Sequence, residues 1–220
     1  MFTGAHGRCT MPSGDYSQQE MLDALRLRIC LTPPTKSFVL HENELAREFG
    51  HSRTPVRQAL QRLAREHLVE IKPGVGTRVV QLQPSDREEC FLVFKDFAQV
   101  AARHCDGMSL SSDSFLELSS VHGILSMKTE RTLDLYAKLS SRVTRAICSV
   151  INDDIVWDAV IAAYWRLLRW RLDSVRHEPE LHWQNFESSV NRLIEAASEG
   201  GASAVWQTAA GISKKYATTA

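Results

Sequence analysis

The stretch "GHSRTPVRQALQRL", Gly50 to Leu63, decides how this chain is read. Val56, Leu60 and Leu63 stand at helical spacing, yet Pro55 sits just ahead of them. Inside a helix a proline costs roughly 3 kcal/mol, because it lacks an N–H and clashes with the preceding turn. The conflict disappears if Ser52 is the N-cap, with Arg53, Thr54 and Pro55 as the first three helical residues. First-turn N–H groups have no intrahelical partner, so the absent one costs little. Pro55 therefore starts a helix. The open N–H groups and the dipole of such a terminus attract phosphate. Ser52 and Thr54 supply hydroxyls there, and Arg53 and Arg57 supply guanidinium groups of the kind that read guanine edges. Arg57 and Gln61 lie four residues apart on one face, while Val56, Leu60 and Leu63 face inward.

Upstream, "SQQEMLDALRLR" (17–28) carries Met21, Leu22, Leu25 and Leu27 at roughly helical spacing, and Pro33 and Pro34 break the pattern. "HENELAREFG" resumes it with Leu45, Ala46 and Phe49, and Gly50 suits a helix stop. Downstream, "LVEIKPGVGTRVV" reads as two β-branched runs around the glycine-rich turn Lys72-Pro73-Gly74-Val75-Gly76, a hairpin that also bears Arg78. Helix, helix, tight turn, helix, hairpin is the order of a winged helix-turn-helix, whose second motif helix enters the major groove.

The charge distribution agrees. The formal net charge is zero, but residues 1–82 carry 11 lysines and arginines against 8 acids, and residues 83–220 carry 15 against 18. The positive excess is concentrated: from Ser52 to His67, Arg53, Arg57, Arg62 and Arg65 face Glu66 alone.

"QLQPSDREE" (81–89) is a polar break, and beyond it the character changes. Helical patterns are predicted near 85–105, 113–127, 130–151, 154–176, 180–199 and 202–216, with Gly200 and Gly201 separating the last two. Each is apolar on one side, so the set should pack as one bundle. The expected organisation is a flexible polar lead-in over 1–16, a winged helix-turn-helix over 17–82, a linker over 83–88 and an all-helical domain over 89–220. The expected fold is thus mainly α. No apolar run approaches the roughly 20 residues of a membrane span, and the N-terminus lacks a secretory pattern. Cys9, Cys30, Cys90, Cys105 and Cys148 are scattered and odd in number, which points to free thiols in a reducing cytoplasm.

The residues "ENELAREFGHSRTPVRQALQRLAREHLVEIKPGVGTRVV" (42–80) resemble the DNA-binding domain of the GntR transcription regulators, and the resemblance extends over about 20–82. The S-R-T-P-V-R core followed by A-L-x-R-L carries it. That resemblance implies operator contacts from Arg53, Thr54 and Arg57, with Ser52 on a phosphate and Gly74 at the wing reaching the minor groove; Gln61 and Lys72 complete the expected surface. The family commonly has Arg where this chain has Asn43, whose shorter reach changes the expected operator preference.

The second half is similar in order and spacing to the helical ligand domain of the FadR-like, FCD-type branch, notably in "LLRWRLDSV" and "SSVNRLIEAASEGGASAV". Many members of that branch bind a divalent metal through Asp-x3-His and two later histidines. Here Asp134 is followed four residues on by Lys138, and the later positions fall near Val190 and Ile212 with no histidine close by. An amine in place of a ligand repels a metal, so neither metal nor other cofactor is expected. Two readings of Lys138 stay open: a surface ion pair with Asp134, or an inward cation that, with Arg142, Arg166 or Arg169, holds the carboxylate of an effector. Trp157, Tyr164, Trp165 and Trp170 suit either core or pocket wall, Tyr164 being the candidate effector contact.

The chain has no nucleophile elbow, P-loop, HExxH motif or paired carboxylates placed with a base, so no enzyme and no catalytic residue is expected. The expectation is a cytoplasmic transcription regulator acting as a repressor, a homodimer on a short inverted repeat of double-stranded DNA that responds to an organic acid. The alternative is an effector-independent DNA-binding protein whose second domain serves only to dimerise.

Overall fold

The computed structural model describes residues 16–72, 74, 76–127 and 130–217. The first helix, α1, runs Gln18–Leu31, three residues beyond the expected end. Ser17 caps it by accepting from the Glu20 N–H, and the Glu20 carboxylate accepts from the Ser17 N–H in return. Of the expected lead-in over 1–16, residues 1–15 lie outside the described residues. Tyr16 itself is packed, its ring edge-on to Phe49 with centroids 5.3 Å apart.

Two short helices follow, α2 (Glu42–Phe49) and α3 (Arg53–Arg65), with Gly50 ending α2 in the left-handed conformation. Leu45 and Phe49 of α2, Val56, Leu60 and Leu63 of α3, and Met21, Leu25 and Ile29 of α1 make the core of this unit. The hairpin is β2 (Val69–Lys72) and β3 (Gly76–Val79), paired antiparallel with Lys72 opposite Gly76. A strand absent from the sequence reading, β1 (Val39–Leu40), pairs with β3 on its other edge, so the wing is a three-stranded sheet in the order β1-β3-β2. Two residues carry no alternation to detect, and β1 exists only because β3 offers it an edge.

Pro84–Asp86 form one 3-10 turn, and α4 begins at once with Arg87–His104. Then come α5 (Ser112–Ser126), α6 (Leu133–Cys148), α7 (Asp154–His177) and α8 (Pro179–Ala217). The helix α8 is interrupted at Gly201, whose φ of 70° and ψ of −162° are non-helical, so its two arms correspond to the two patterns separated by Gly200 and Gly201 in the sequence. A Cβ at Gly201 would lie 2.7 Å from the Met108 carbonyl oxygen, which accepts from the Ala202 N–H at 2.9 Å. The kink fastens α8 to the loop after α4. Packing of α4 against α7 and α8, and of α5 against α6 and α8, closes the bundle. Four described cysteines, Cys30, Cys90, Cys105 and Cys148, are buried free thiols, and burial pushes the Cys30 thiol up to about 12. Among the described residues no helix is long and apolar enough to cross a membrane.

The two halves are riveted together by arginines. Arg169 of α7, with no exposed surface, donates to the Val80 carbonyl at 2.6 Å and the Pro34 carbonyl at 3.1 Å. Arg26 of α1 pairs at two points with Glu66, the C-cap of α3, and lies over the Trp165 ring at 5.3 Å. Arg62 reaches Asp158 of α7 at 3.1 Å and covers Trp157 at 5.4 Å. In these places the bundle touches the elements that carry α3.

Candidate nucleic-acid interface

The backbone at Ser52 is extended (φ −71°, ψ 169°), and helical geometry begins at Arg53. Pro55 thus occupies the third helical position, within the turn where an N–H has no partner to lose. The Ser52 hydroxyl makes no capping bond, so it remains available to an incoming group. Ser52, Arg53, Thr54, Arg57 and Gln61 are all exposed, while Val56, Ala59, Leu60 and Leu63 are buried beneath them. The helix is therefore divided by its own periodicity into a face that packs and a face that presents hydroxyls, amide and cations.

Arg57 is held in place by a residue the sequence reading passed over. Glu42, at the start of α2, accepts from Arg57 Nε at 3.1 Å and Nη2 at 2.8 Å. The Arg57 guanidinium holds the Glu42 carboxyl below the usual carboxylate range. The pair is solvent-facing, so its value lies in orientation more than in stability: a planar fork fixed at one edge presents its remaining N–H groups in a defined direction. The signal available in the sequence was an acid at the first position of α2, and only the crossing of α2 over α3 gives it meaning.

Asn43, next along α2, is exposed. On the wing, Lys72 is exposed with its ammonium 3.2 Å from Glu70, and Gly74 is exposed at the tip with φ of 75°. Arg78 of β3 donates to the Ser37 hydroxyl at 3.1 Å. Arg62, by contrast, turns away to Asp158 and belongs to the inter-domain joint.

Of the six residues expected to gather around an effector, Asp134 and Lys138 pair with each other and the rest lie apart from them. Lys138 lies on the surface with its ammonium 2.7 Å from Asp134, their side chains about half exposed, which is the ion-pair reading. Arg142 makes a two-point pair with Glu117 at 2.6 and 3.0 Å. Arg166 donates to the Cys90 sulfur at 3.5 Å, and Arg169 is the rivet to Val80 and Pro34. Each of the three arginines thus has a protein partner in a different place. Of the six, Tyr164 alone lines a partly open cavity of the bundle, where Arg171 is the cation among the described residues. Among the described residues no group of three or more His, Cys, Asp or Glu could hold a metal.

Residues 18–79 match the family of bacterial regulatory proteins of the gntR type. The chain is 36% identical over 73 residues to an HTH-type transcriptional regulator in an unstable DNA locus of Streptomyces ambofaciens, covering 33% of this chain and 31% of that one. It is 40% identical over 67 residues to another, from the TAR-I ttuE-ttuC' intergenic region of Agrobacterium vitis, covering 30% and 38%. The chain thus spans about a third of the length of the curated relatives it matches. Across nearly the whole length, the fold is similar to E. coli McbR/YncC, with a TM-score of 0.61 at 16% identity over 90% of this chain and 94% of that one. It is also similar to a transcriptional regulator GntR from Rhodococcus sp. RHA1, with a TM-score of 0.57 at 16% identity over 91% and 95%. These likenesses bear on the fold alone. The likeness to the gntR family of bacterial regulatory proteins thus rests on residues 18–79, which carry the exposed α3 terminus and the three-stranded wing.

Proposed function

We propose that the protein is a sequence-specific DNA-binding transcription regulator, a repressor, that works as a homodimer in the cytoplasm. The observation that carries this reading is the α3 terminus: Ser52, Arg53, Thr54, Arg57 and Gln61 exposed on one side, with Arg57 oriented by Glu42. Phosphates fit the open N–H groups and the free Ser52 hydroxyl, base edges fit Arg57 and Gln61, and the Gly74 tip with Lys72 fits the adjacent minor groove. One copy reads one half-site, so a two-fold dimer on an inverted repeat is the economical solution.

The linker at 83–88 separates this reader from a sensing domain over 89–220, which dimerises and binds a small carboxylate without a metal. Support for coupling is the set of contacts from α7 to the reader through Arg169, Trp165 and Asp158: an acid that favours one packing of α7 shifts the setting of α3. Selection from a pool of random duplexes tests the first part. Enrichment of an inverted repeat with half-sites one or more helical turns apart supports it, and recovery of no shared sequence overturns it.

A further inference from the structure

A chain of alternating charges crosses from the bundle into the reader and back. Arg145 of α6 donates to Asp23 of α1 at 2.9 Å, and Asp23 also accepts from Arg26 at 2.8 Å. Arg26 pairs at two points with Glu66, the C-cap of α3. Glu66 accepts in turn from Arg62 at 3.3 Å, and Arg62 donates to Asp158 of α7 at 3.1 Å. Cation and anion alternate along the whole run. Its middle is sheltered, with Arg26 and Glu66 buried and the Trp165 and Trp157 rings of α7 against Arg26 and Arg62. Its ends on the bundle, Arg145 and Asp158, are exposed.

We propose that Arg145 and Asp158 are positioning residues for DNA reading, which fix the angle of α3 against the bundle and so the half-site spacing that a dimer accepts. The proposal rests on reading α3 as the DNA-reading helix of a homodimer. The geometry of the anchors supports it. Arg169 holds the root of the wing at the Val80 and Pro34 carbonyls. Asp158 stands eleven residues before it on α7, a separation of about 16 Å along a helix. Arg145 lies on a different helix, and α1, to which it is joined, packs against α3 as well as α6 and α7. One anchor lets a body pivot, two leave it a hinge axis, and three that are not in line fix its orientation. Arg169 alone would hold the reader at one point; the ends of the charge chain supply the other two. Exposed ion pairs add little stability, so removing these two changes the freedom of α3 and leaves the fold standing. Loosened readers then reach spacings that a rigid dimer refuses, since half-sites must lie near whole turns of the duplex.

Anisotropy of the full-length protein on two duplexes tests this: the inverted repeat that selection yields, and the same repeat with its spacer changed by about five base pairs, half a turn. The readout is the ratio of the two affinities, because a loss of folded protein lowers both alike. In the double variant Arg145→Gln with Asp158→Asn the ratio should fall about fivefold or more, the lower end of coupling between distant groups. Affinity for a duplex with a single half-site should not change. Asp158→Glu retains the charge and should retain the wild-type ratio. Lys138→Gln, which breaks a surface pair elsewhere on the bundle, should retain it too. Hydrogen exchange in the absence of DNA gives a second reading: amides of α1 and α3 should exchange faster in the double variant, with those of α4 and α5 unchanged. A double variant with the wild-type ratio, or with wild-type exchange in α1 and α3, overturns the proposal. A wild type that selects no duplex overturns the reading of α3 as a DNA-binding helix, and exchange then decides alone whether the charge chain fixes α3.

Discussion

Glu42 and Arg57 form a two-point ion pair across the helix-turn-helix, joining the first residue of α2 to the exposed face of α3. An acid so close to a cation proposed to face DNA would oppose phosphate binding and orient the cation at once. The two roles separate by mutation. Arg57→Ala should cost about 1–3 kcal/mol of specific binding with thermal stability unchanged. Glu42→Gln should behave differently: removing a negative charge strengthens binding to random duplex, while freeing the guanidinium lowers the ratio of specific to non-specific affinity. Anisotropy over a salt series reads both quantities. A specificity ratio that survives Glu42→Gln would leave the acid with no orienting role.

Arg26 and Glu66 are both buried, at 6% and 3% exposure, with Asp23, Arg62 and Trp165 around them. Burial disfavours the Arg26 charge, yet its hydrogen bonds to the Glu66 and Asp23 carboxylates outweigh it and hold its pKa above the ordinary value. Breaking such a pair by removing one member costs up to about 3–5 kcal/mol where the other is left unpaired, and here Arg26 keeps Asp23 as a second partner. Glu66→Leu should therefore destabilise by less than that full amount in urea denaturation, and Arg26→Met with Glu66→Leu together should recover part of it. A double mutant as unstable as the sum of the singles would show that the charges are not coupled.

The reader was legible in the sequence because its signals are local: a proline in a first turn, a glycine stop, a hairpin turn and a one-sided apolar stripe. The helices of the bundle were legible for the same reason, down to the break at Gly201. The cation of the cavity was not. Along α7, Arg166, Arg169 and Arg171 stand on a helix packed on most sides, with Val160, Ile161, Tyr164, Trp165, Leu167, Leu168, Trp170 and Leu172 all buried. With so little of the helix facing water, periodicity cannot say which arginine faces a cavity and which faces another domain. Packing alone sends Arg169 to Val80 and Pro34 and gives Arg171 to the cavity wall. Of the two readings left open for Lys138, the pairing with Asp134 is the local helix-surface contact that i, i+4 spacing offers.

Gly201 is the point at which α8 becomes two arms, and its positive φ coincides with a close approach to Met108. Any side chain there meets a backbone carbonyl, which cannot rotate away as a side chain would. Gly201→Ala should cost about 1–3 kcal/mol of stability through the strained conformation, with more if the Met108 loop must move. Gly211→Ala is the control, since a Cβ at Gly211 meets nothing within 4 Å. Differential scanning fluorimetry of the two variants decides it: equal melting temperatures would mean the kink tolerates a left-handed alanine without shifting.

Acid should weaken the fold in two separable windows. His182 is held below its ordinary pKa, first by burial and then by the nearby Arg171, with Glu178 pulling the other way. The folded state therefore binds this proton less readily than the unfolded chain, whose histidine titrates near 6.5. Stability from that difference is fully present above that value and is lost as pH falls through the lower folded one. Glu42 and Glu117 are also held low, chiefly by hydrogen bonds from Arg57 and Arg142. Their contribution is complete above the ordinary carboxylate range near 4.3 and disappears as pH falls below it. The urea midpoint should thus decline in a first step just below pH 6.5 and in a second below about 4.3. His182→Gln should remove the first step and leave the second, whereas Glu117→Gln should diminish only the second. A first step that persists unchanged in His182→Gln would assign it to another group.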